Sequence, residues 1–391
     1  MASPAEGDPR RPVRRGAWVA ASRPLRVAVV APTLSILGGQ AVQAQRLLDG
    51  WKGDPDVEAW LVPVNPTPPG PLACAVRVKY ARTIATQATY WPSLVREIRR
   101  ADVVHAFSAS YFSFLLAPLP AILVARLLGR PVVLNYRSGE APDHLARSPL
   151  ARRLIRSCER NAVPSAFLAG VFARYRIPTV IIPNTIDLER FAFRERAPLQ
   201  PHLVSTRNLE PIYNVPCTLR AFAIVQREHP GATLTIAGGG SQDQRLRQLA
   251  ASLNLRNVRF VGRVPVSEIW RIYAEGGIYV QSPDIDNMPS SILEAFASGN
   301  PVVSTDAGGI PAIVRNGVDG LLVRRDDHAA LAAAVLRLLA EPELVQRLTR
   351  EARASCEQYR WPVIRDRWLQ LYRGAVLGGG AAEALQDTAR A

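Results

Sequence analysis

DNMPSSILEAFASGNPVVSTDAGG, residues 286 to 309, sets a helix, a strand and a glycine loop in immediate succession. Pro289 suits a first helical turn, where its missing N–H costs nothing, and Ser290 or Ser291 can cap the free donors there. Backbone N–H groups at such a start face outward and favour an anion. Gly299-Asn300 reads as a left-handed helix stop, and PVVST as a buried strand running into the loop Ala307-Gly308-Gly309. Asp286 and Glu294 flank the helix start eight positions apart. Ser291-x-x-Glu294 also fits a capping box, so Glu294 has a structural reading beside a binding one.

The same construction repeats outward. RVAVVAP (26–32), DVEAWLVPV (56–64), ADVVHAFS (101–108), RPVVLNYRS (130–138), SAFLAG (165–170) and PTVIIPN (178–184) read as strands with helical patterns between them. After the polar, proline-bearing segment FRERAPLQPH, the strands HLVSTRN, TLTIAGGG and VRFVGRV open a second series. Alternation of this kind predicts parallel sheets covered on both faces, with ligands at the carboxyl ends of the strands. His105 and Arg137 are placed at such ends. Gly38-Gly39 before a helix, and Gly238-Gly239-Gly240 before another, allow backbone to approach phosphate; neither is a GxGxxG fingerprint. The apolar run 111–129 is interrupted by Pro118 and Pro120 and carries Arg126, so it reads as a core helix and not a membrane span.

At 391 residues the chain calls for two domains. Cys74, Cys158, Cys217 and Cys356 are scattered without a CxxC pair, against a zinc site or a disulfide scaffold. No metal motif is present. The formal charge is +15, of which about +13 falls in residues 1–200, and the excess is almost wholly arginine. Such a field suits an anionic surface or acidic substrate. Residues 145–161 concentrate it: Arg152, Arg156 and Arg160 recur on one side, while Leu150, Leu154, Ile155 and Cys158 are expected on the other, the pattern of a basic amphipathic helix on anionic lipid. Residues 1–24 read as a disordered basic arm and 378–391 as a disordered tail.

The stretch 286–309 resembles the E-x7-E signature of family 4 glycosyltransferases of the GT-B fold, with Asp286 in the first position and Glu294 in the second. PNTIDLERF (183–191) is similar to the segment that precedes the interdomain crossing in that family, and LVSTRNLEPIYNVP to the element whose Arg and Lys clamp the donor diphosphate. Arg207 matches the Arg; Tyr213 or Asn214 stands where the Lys is usual. LNYRSGE places Arg137 where a donor-facing His is usual, and Phe107 replaces the second His of a His-x-His strand.

The resemblance implies a GT-B α/β fold: an acceptor-side Rossmann-like domain over 25–195, completed by a terminal helix at 361–377, and a nucleotide-sugar domain over 203–360. It implies a retaining, metal-independent hexosyltransferase that takes a nucleotide-diphosphate sugar as substrate, with no separate cofactor. The acceptor would be a lipid-linked or saccharide hydroxyl in glycolipid, envelope or polysaccharide synthesis. Asp286, Arg137 and His105 are the expected catalytic residues. Gly38, Gly39, Arg207, Gly239, Arg263, Ser290, Ser291 and Glu294 are expected to bind the donor. A cytoplasmic enzyme is expected, peripheral on the inner face of the membrane through 145–161, with no nucleic acid partner. A non-catalytic relative that binds nucleotide or lipid, and a sugar-nucleotide epimerase, are the rival readings.

Overall fold

The computed structural model describes residues 23–35, 38–67, 79–196 and 198–378. Most of the expected basic arm, nearly all of the expected tail and Cys74 lie outside the described residues. Two six-stranded sheets, all parallel, form the framework. The first contains β1 (Leu25–Ala31), β2 (Val57–Pro63), β3 (Val103–Ser108), β4 (Val132–Tyr136), β5 (Arg160–Val163) and β6 (Val180–Ile181), in the order β2-β1-β3-β4-β5-β6. The second contains β7 (His202–Ser205), β8 (Thr233–Ala237), β9 (Val258–Gly262), β10 (Ile278–Val280), β11 (Val302–Thr305) and β12 (Leu321–Val323), in the order β12-β11-β10-β7-β8-β9. The direction of winding reverses between β1 and β3 and between β7 and β10. Reversal parts the loops at the carboxyl ends and opens a crevice there. Both crevices contribute to one cleft.

The central strands of each sheet are buried on both faces because they are continuous apolar runs: Val27 to Ala31 and Val132 to Leu134 in the first, and Ile278 to Val280 with Val302 and Val303 in the second, are almost wholly inaccessible. On β3 the pleat sends Val104 and Ala106 to one core, and Val103 and Phe107 to the other. That second core is shared with the last helix, Trp361–Val376, whose Ile364, Trp368, Leu369 and Tyr372 pack under the first sheet. Trp361 meets Trp51 edge to face at 4.9 Å, and Arg365 bridges Asp54 and Asp56 at 2.6 Å each. The end of the chain is therefore fastened to the sheet at its beginning.

Three local expectations are corrected. SAFLAG is not a strand: β5 is the preceding RNAV, and Ser165 caps a helix over Ala166–Ala173 by accepting from the Leu168 N–H. Short apolar runs do not separate these states, and the cap decides for helix. The run 111–129 is two helices, Tyr111–Leu116 and Pro118–Leu127, parted where Pro118 cannot continue the hydrogen-bond ladder. It is also less interior than expected, since Phe112 is 66% and Leu127 84% exposed. Residues 145–161 break at Ser148-Pro149 into the end of Ala141–Arg147 and a helix over Pro149–Arg156. Leu150 lies outside the buried stripe, 53% exposed, while Ala151, Leu154 and Ile155 face the core. No helix among the described residues is long and apolar enough to cross a membrane.

Candidate active site

The cleft between the sheets encloses about 500 Å³. From the first domain come Gly38, Gly39, Ser110 and Arg137, and from the second Arg207, Gly238, Arg263, Asp286, Ser291 and Glu294, all on its wall. Gly38 is the extended residue before the helix Gly39–Trp51, with no side-chain cap, and a Cβ at Gly39 would meet nothing within 4 Å. The first-turn amides of this thirteen-residue helix thus open on the cleft, as an anion requires.

Asp286 is held from every side. Its Oδ2 accepts from Arg207 Nη2 at 2.5 Å and its Oδ1 from the Asn287 N–H at 2.8 Å. The Asp286 carbonyl accepts from the Gly309 N–H at 3.1 Å, and Gly308, at φ 53°, lies so close that a Cβ there would stand 2.0 Å from that oxygen. The Ala307–Gly309 loop is therefore glycine because the Asp286 backbone needs the space. Burial opposes the charge on Arg207, yet the Asp286 carboxylate and neighbouring tyrosines hold its pKa above the ordinary arginine value, so the two form an ion pair. Burial pushes the Asp286 carboxyl up, against the pull of Arg207 and the Asn287 N–H. Tyr213 places its ring 4.1 Å below the Arg207 guanidinium. An aromatic support thus stands where the clamp lysine was looked for, and Asn214 turns away to Asp284 and Asp326.

Glu294 does not close a capping box. The cap residue is Pro289, without a side-chain bond, and Glu294 instead accepts from Arg46 Nη2 at 2.7 Å and from the Tyr273 hydroxyl at 2.9 Å. Arg46 belongs to the first domain, so this buried pair crosses the cleft. Ser290 is joined to the same seam by Gln43 Nε2 at 2.9 Å, and Ser291 accepts from Arg207 Nη1 at 3.1 Å. Asn184 donates to the Met288 carbonyl at 2.6 Å, and Ser165 is hydrogen-bonded to Asn287.

Arg137 follows β4 directly and differs from the other buried cations. Its Nη1 donates to Asn135 Oδ1 at 3.2 Å, Phe107 lies 5.5 Å beneath it, and no carboxylate among the described residues pairs with it. Its Nη2 is buried without a partner, and burial brings its pKa down to about 9, leaving it charged at neutral pH. Arg207 Nε, Asn287 Nδ2 and Asn184 Oδ1 are likewise buried and unpartnered. Four of the nine such atoms among the described residues thus belong to this cleft, three of them donors. Buried donors left open are costly unless a polar ligand meets them.

His105 is corrected in position. β3 runs on to Ser108, so His105 lies in mid-strand and points away from the cleft, wholly buried beneath the last helix. Its Nδ1 is 2.6 Å from the Tyr372 hydroxyl and its Nε2 3.0 Å from Asn135 Nδ2. Arg137 has only donors, which fixes Oδ1 of Asn135 toward it and the amide NH2 toward His105. Nε2 must then accept and Nδ1 carry the proton. Burial, with the nearby Arg137 charge, brings the imidazole pKa to about 3. His105 is a neutral strut that aims Asn135, which aims Arg137. Gly239 is also set back: it is packed under the Arg263 side chain, with 3.0 Å from a Cβ position to Cγ, while Gly238 reaches the wall. Among the described residues no group of three His, Cys, Asp or Glu converges as a metal site.

Arg46, Asn135 and Tyr273 are additions of the structure. Arg46 is the one charge between the glycine turn and Asp49 in its helix, which is a signal, but its partner is 248 residues away.

Comparison with known proteins bears on the family and the fold. Residues 37–190 match the family model Glycosyltransferase Family 4, and residues 189–355 match Glycosyl transferases group 1. The chain is 30% identical over 296 residues to a glycogen synthase of Mycobacterium tuberculosis, covering 71% of this chain and 70% of that protein. It is 27% identical over 300 residues to a D-inositol 3-phosphate glycosyltransferase of Nocardia farcinica, covering 70% and 66%. Among solved structures, Anabaena Alr3699/HepE in complex with UDP-glucose superposes with a TM-score of 0.71 at 17% identity, over 89% of this chain and 99% of that one.

Proposed function

Since this chain belongs to the family 4 glycosyltransferases of GT-B fold, we propose that its cleft holds a nucleoside-diphosphate sugar and passes the hexosyl group, with retention, to a hydroxyl acceptor. The observation that carries this is the Arg137 guanidinium, charged, without a carboxylate partner among the described residues, its Nη2 buried and unpartnered in the cleft that the Gly38-Gly39 helix start also lines. A diphosphate supplies the missing acceptors. Its charge rises as the sugar departs, so Arg137 and the amides stabilise the transition state more than the ground state.

In the proposed reaction the acceptor oxygen bonds to the anomeric carbon on the face from which the diphosphate oxygen leaves. The acceptor proton passes to that departing oxygen, so no separate base is required. Asp286 positions the sugar, with Arg207 fixing its orientation. Glu294 receives the ribose hydroxyls, and Arg263 borders the base. Structural relatives crystallised with UDP and UDP-glucose support a uridine donor. Relatives named for glycogen, inositol phosphate and phosphatidylinositol mannoside synthesis support an acceptor in envelope or polysaccharide assembly. Exposed Phe112 and Leu115, on the helix that brings Ser110 and Ser113 to the cleft, suit an acceptor with an apolar portion. Contact of segment 145–161 with an anionic membrane face belongs to the same proposal.

Purified protein incubated with UDP-, GDP- and ADP-hexoses and a saccharide acceptor should release one nucleoside diphosphate and yield a product with the donor's anomeric configuration, read by NMR. Binding of a sugar nucleotide with neither hydrolysis nor transfer would favour a non-catalytic relative.

A further inference from the structure

A second concave site lies at the other end of the first domain, and it contains no acid. The helix Pro149–Arg156 ends where the chain turns into the start of β5, and the helix Ala166–Ala173 ends before the start of β6. Both ends therefore lie at the amino-terminal edge of the sheet, opposite the cleft. Between them is a cavity of about 490 Å³ walled by Arg152, Arg153, Arg156, Arg174, Arg176 and Tyr175.

Two of these arginines are fixed. Arg152 donates to the Leu145 carbonyl at 3.1 Å and lies 5.1 Å over the Tyr175 ring, while Arg156 donates to the Tyr175 carbonyl at 3.0 Å. Arg153, Arg174 and Arg176 have no side-chain partner among the described residues. Elsewhere on this protein some exposed helical arginines are paired locally, as Arg147 with Asp143, Arg247 with Asp243 and Arg337 with Glu341, while Arg220, Arg227 and Arg347 have no side-chain partner among the described residues; what sets this group apart is that five arginines wall one hollow with no acid among its lining residues. Helix carboxyl ends do favour a cation in the last turn, which accounts for one arginine at each end but not for five facing one hollow. Like charges brought together repel unless an anion joins them. Arg176 is moreover held at φ 54°, where a glycine would be unstrained.

We propose that this pocket is a phosphate-binding site, separate from the donor cleft, for a ligand bearing at least two phosphate charges. Guanidinium forks match phosphate oxygens bidentately, and two forks already fixed leave little ordering to complete. The ligand is either the headgroup region of an anionic lipid surface or a soluble phosphate compound. The site rests on no part of the donor assignment.

The test replaces the three unpartnered residues together, Arg153→Gln, Arg174→Gln and Arg176→Gln, beside a charge-matched control, Arg220→Gln, Arg227→Gln and Arg347→Gln, in the exposed second domain. Inorganic pyrophosphate is titrated calorimetrically, and sedimentation is measured with vesicles of phosphatidylglycerol and phosphatidylcholine. Arg137→Gln protein run in parallel weakens the cleft's contribution and keeps the remote one. The wild type and the control should bind pyrophosphate at the remote site, with affinity at least tenfold lower in the pocket variant. Vesicle binding lost in the same variant and displaced by pyrophosphate identifies a lipid surface; pyrophosphate binding without vesicle binding identifies a soluble ligand. A pocket variant that binds both probes like the wild type, or a control that loses as much, overturns the site.

Discussion

Arg137→Gln should lower kcat/KM for the sugar nucleotide by roughly 10²-fold, equivalent to about 3 kcal/mol, and leave the melting temperature unchanged or raised. The two halves of this result have one cause. Arg137 is a cation half-buried in the cleft whose side chain, among the described residues, meets no carboxylate and donates to Asn135 Oδ1 through Nη1. Folding bears the desolvation of that charge, and its pKa near 9 reflects it. Glutamine removes the charge, so stability does not suffer; diphosphate then meets one cation fewer, so transfer does. A structural arginine would show the opposite, with a lowered melting temperature and activity preserved in the surviving protein. Asn135→Ala should reproduce part of the loss, because Asn135 is what aims the guanidinium and is itself aimed by His105.

Glu294→Gln should reduce donor affinity by a factor of ten or more and also destabilise the closed arrangement of the domains, by about 1–3 kcal/mol. The carboxylate neutralises Arg46 from the facing domain while it accepts from Tyr273. Its amide keeps an acceptor for Tyr273 and leaves the Arg46 charge uncompensated, and an unpaired buried ion is costly. The pair is resolved by adding Arg46→Gln. If Glu294 serves the ribose, the double variant recovers stability and does not recover donor affinity, both read by calorimetry and thermal melting. Recovery of both would reduce Glu294 to an interdomain tie. The double-mutant cycle is apt because the two groups touch, where single effects do not add.

How much of this was legible in the sequence varied with the range of the forces concerned. The two parallel sheets followed from continuous apolar strands spaced by helical patterns, and Arg137 was placed at a strand end by the apolar run VVLNY that forms β4. His105 was misplaced although its strand was read through Ser108: it lies three residues short of that end, and the partner that buries it, Tyr372 of the last helix, is 267 residues away in the chain. Leu150 was assigned to the buried side of one helix, but Ser148-Pro149 starts a new one with a different face inward. The interdomain seam was hidden. Arg46 with Glu294, Gln43 with Ser290 and Ser165 with Asn287 join residues far apart in the chain, and only the folded cleft brings them together. The glycine loop 307–309 was visible, and its reason, room for the Asp286 carbonyl, was not.

The central claim is that this cleft recognises a diphosphate attached to a nucleoside. Calorimetric titration of the wild-type protein with UDP, and in parallel with uridine, tests it most directly. The account predicts binding of UDP at one cleft site at least 10²-fold tighter than uridine, the difference residing in the open guanidinium and the helix-start amides. Equal affinity for the two, or no binding of any nucleoside diphosphate when GDP and ADP are substituted, would contradict it.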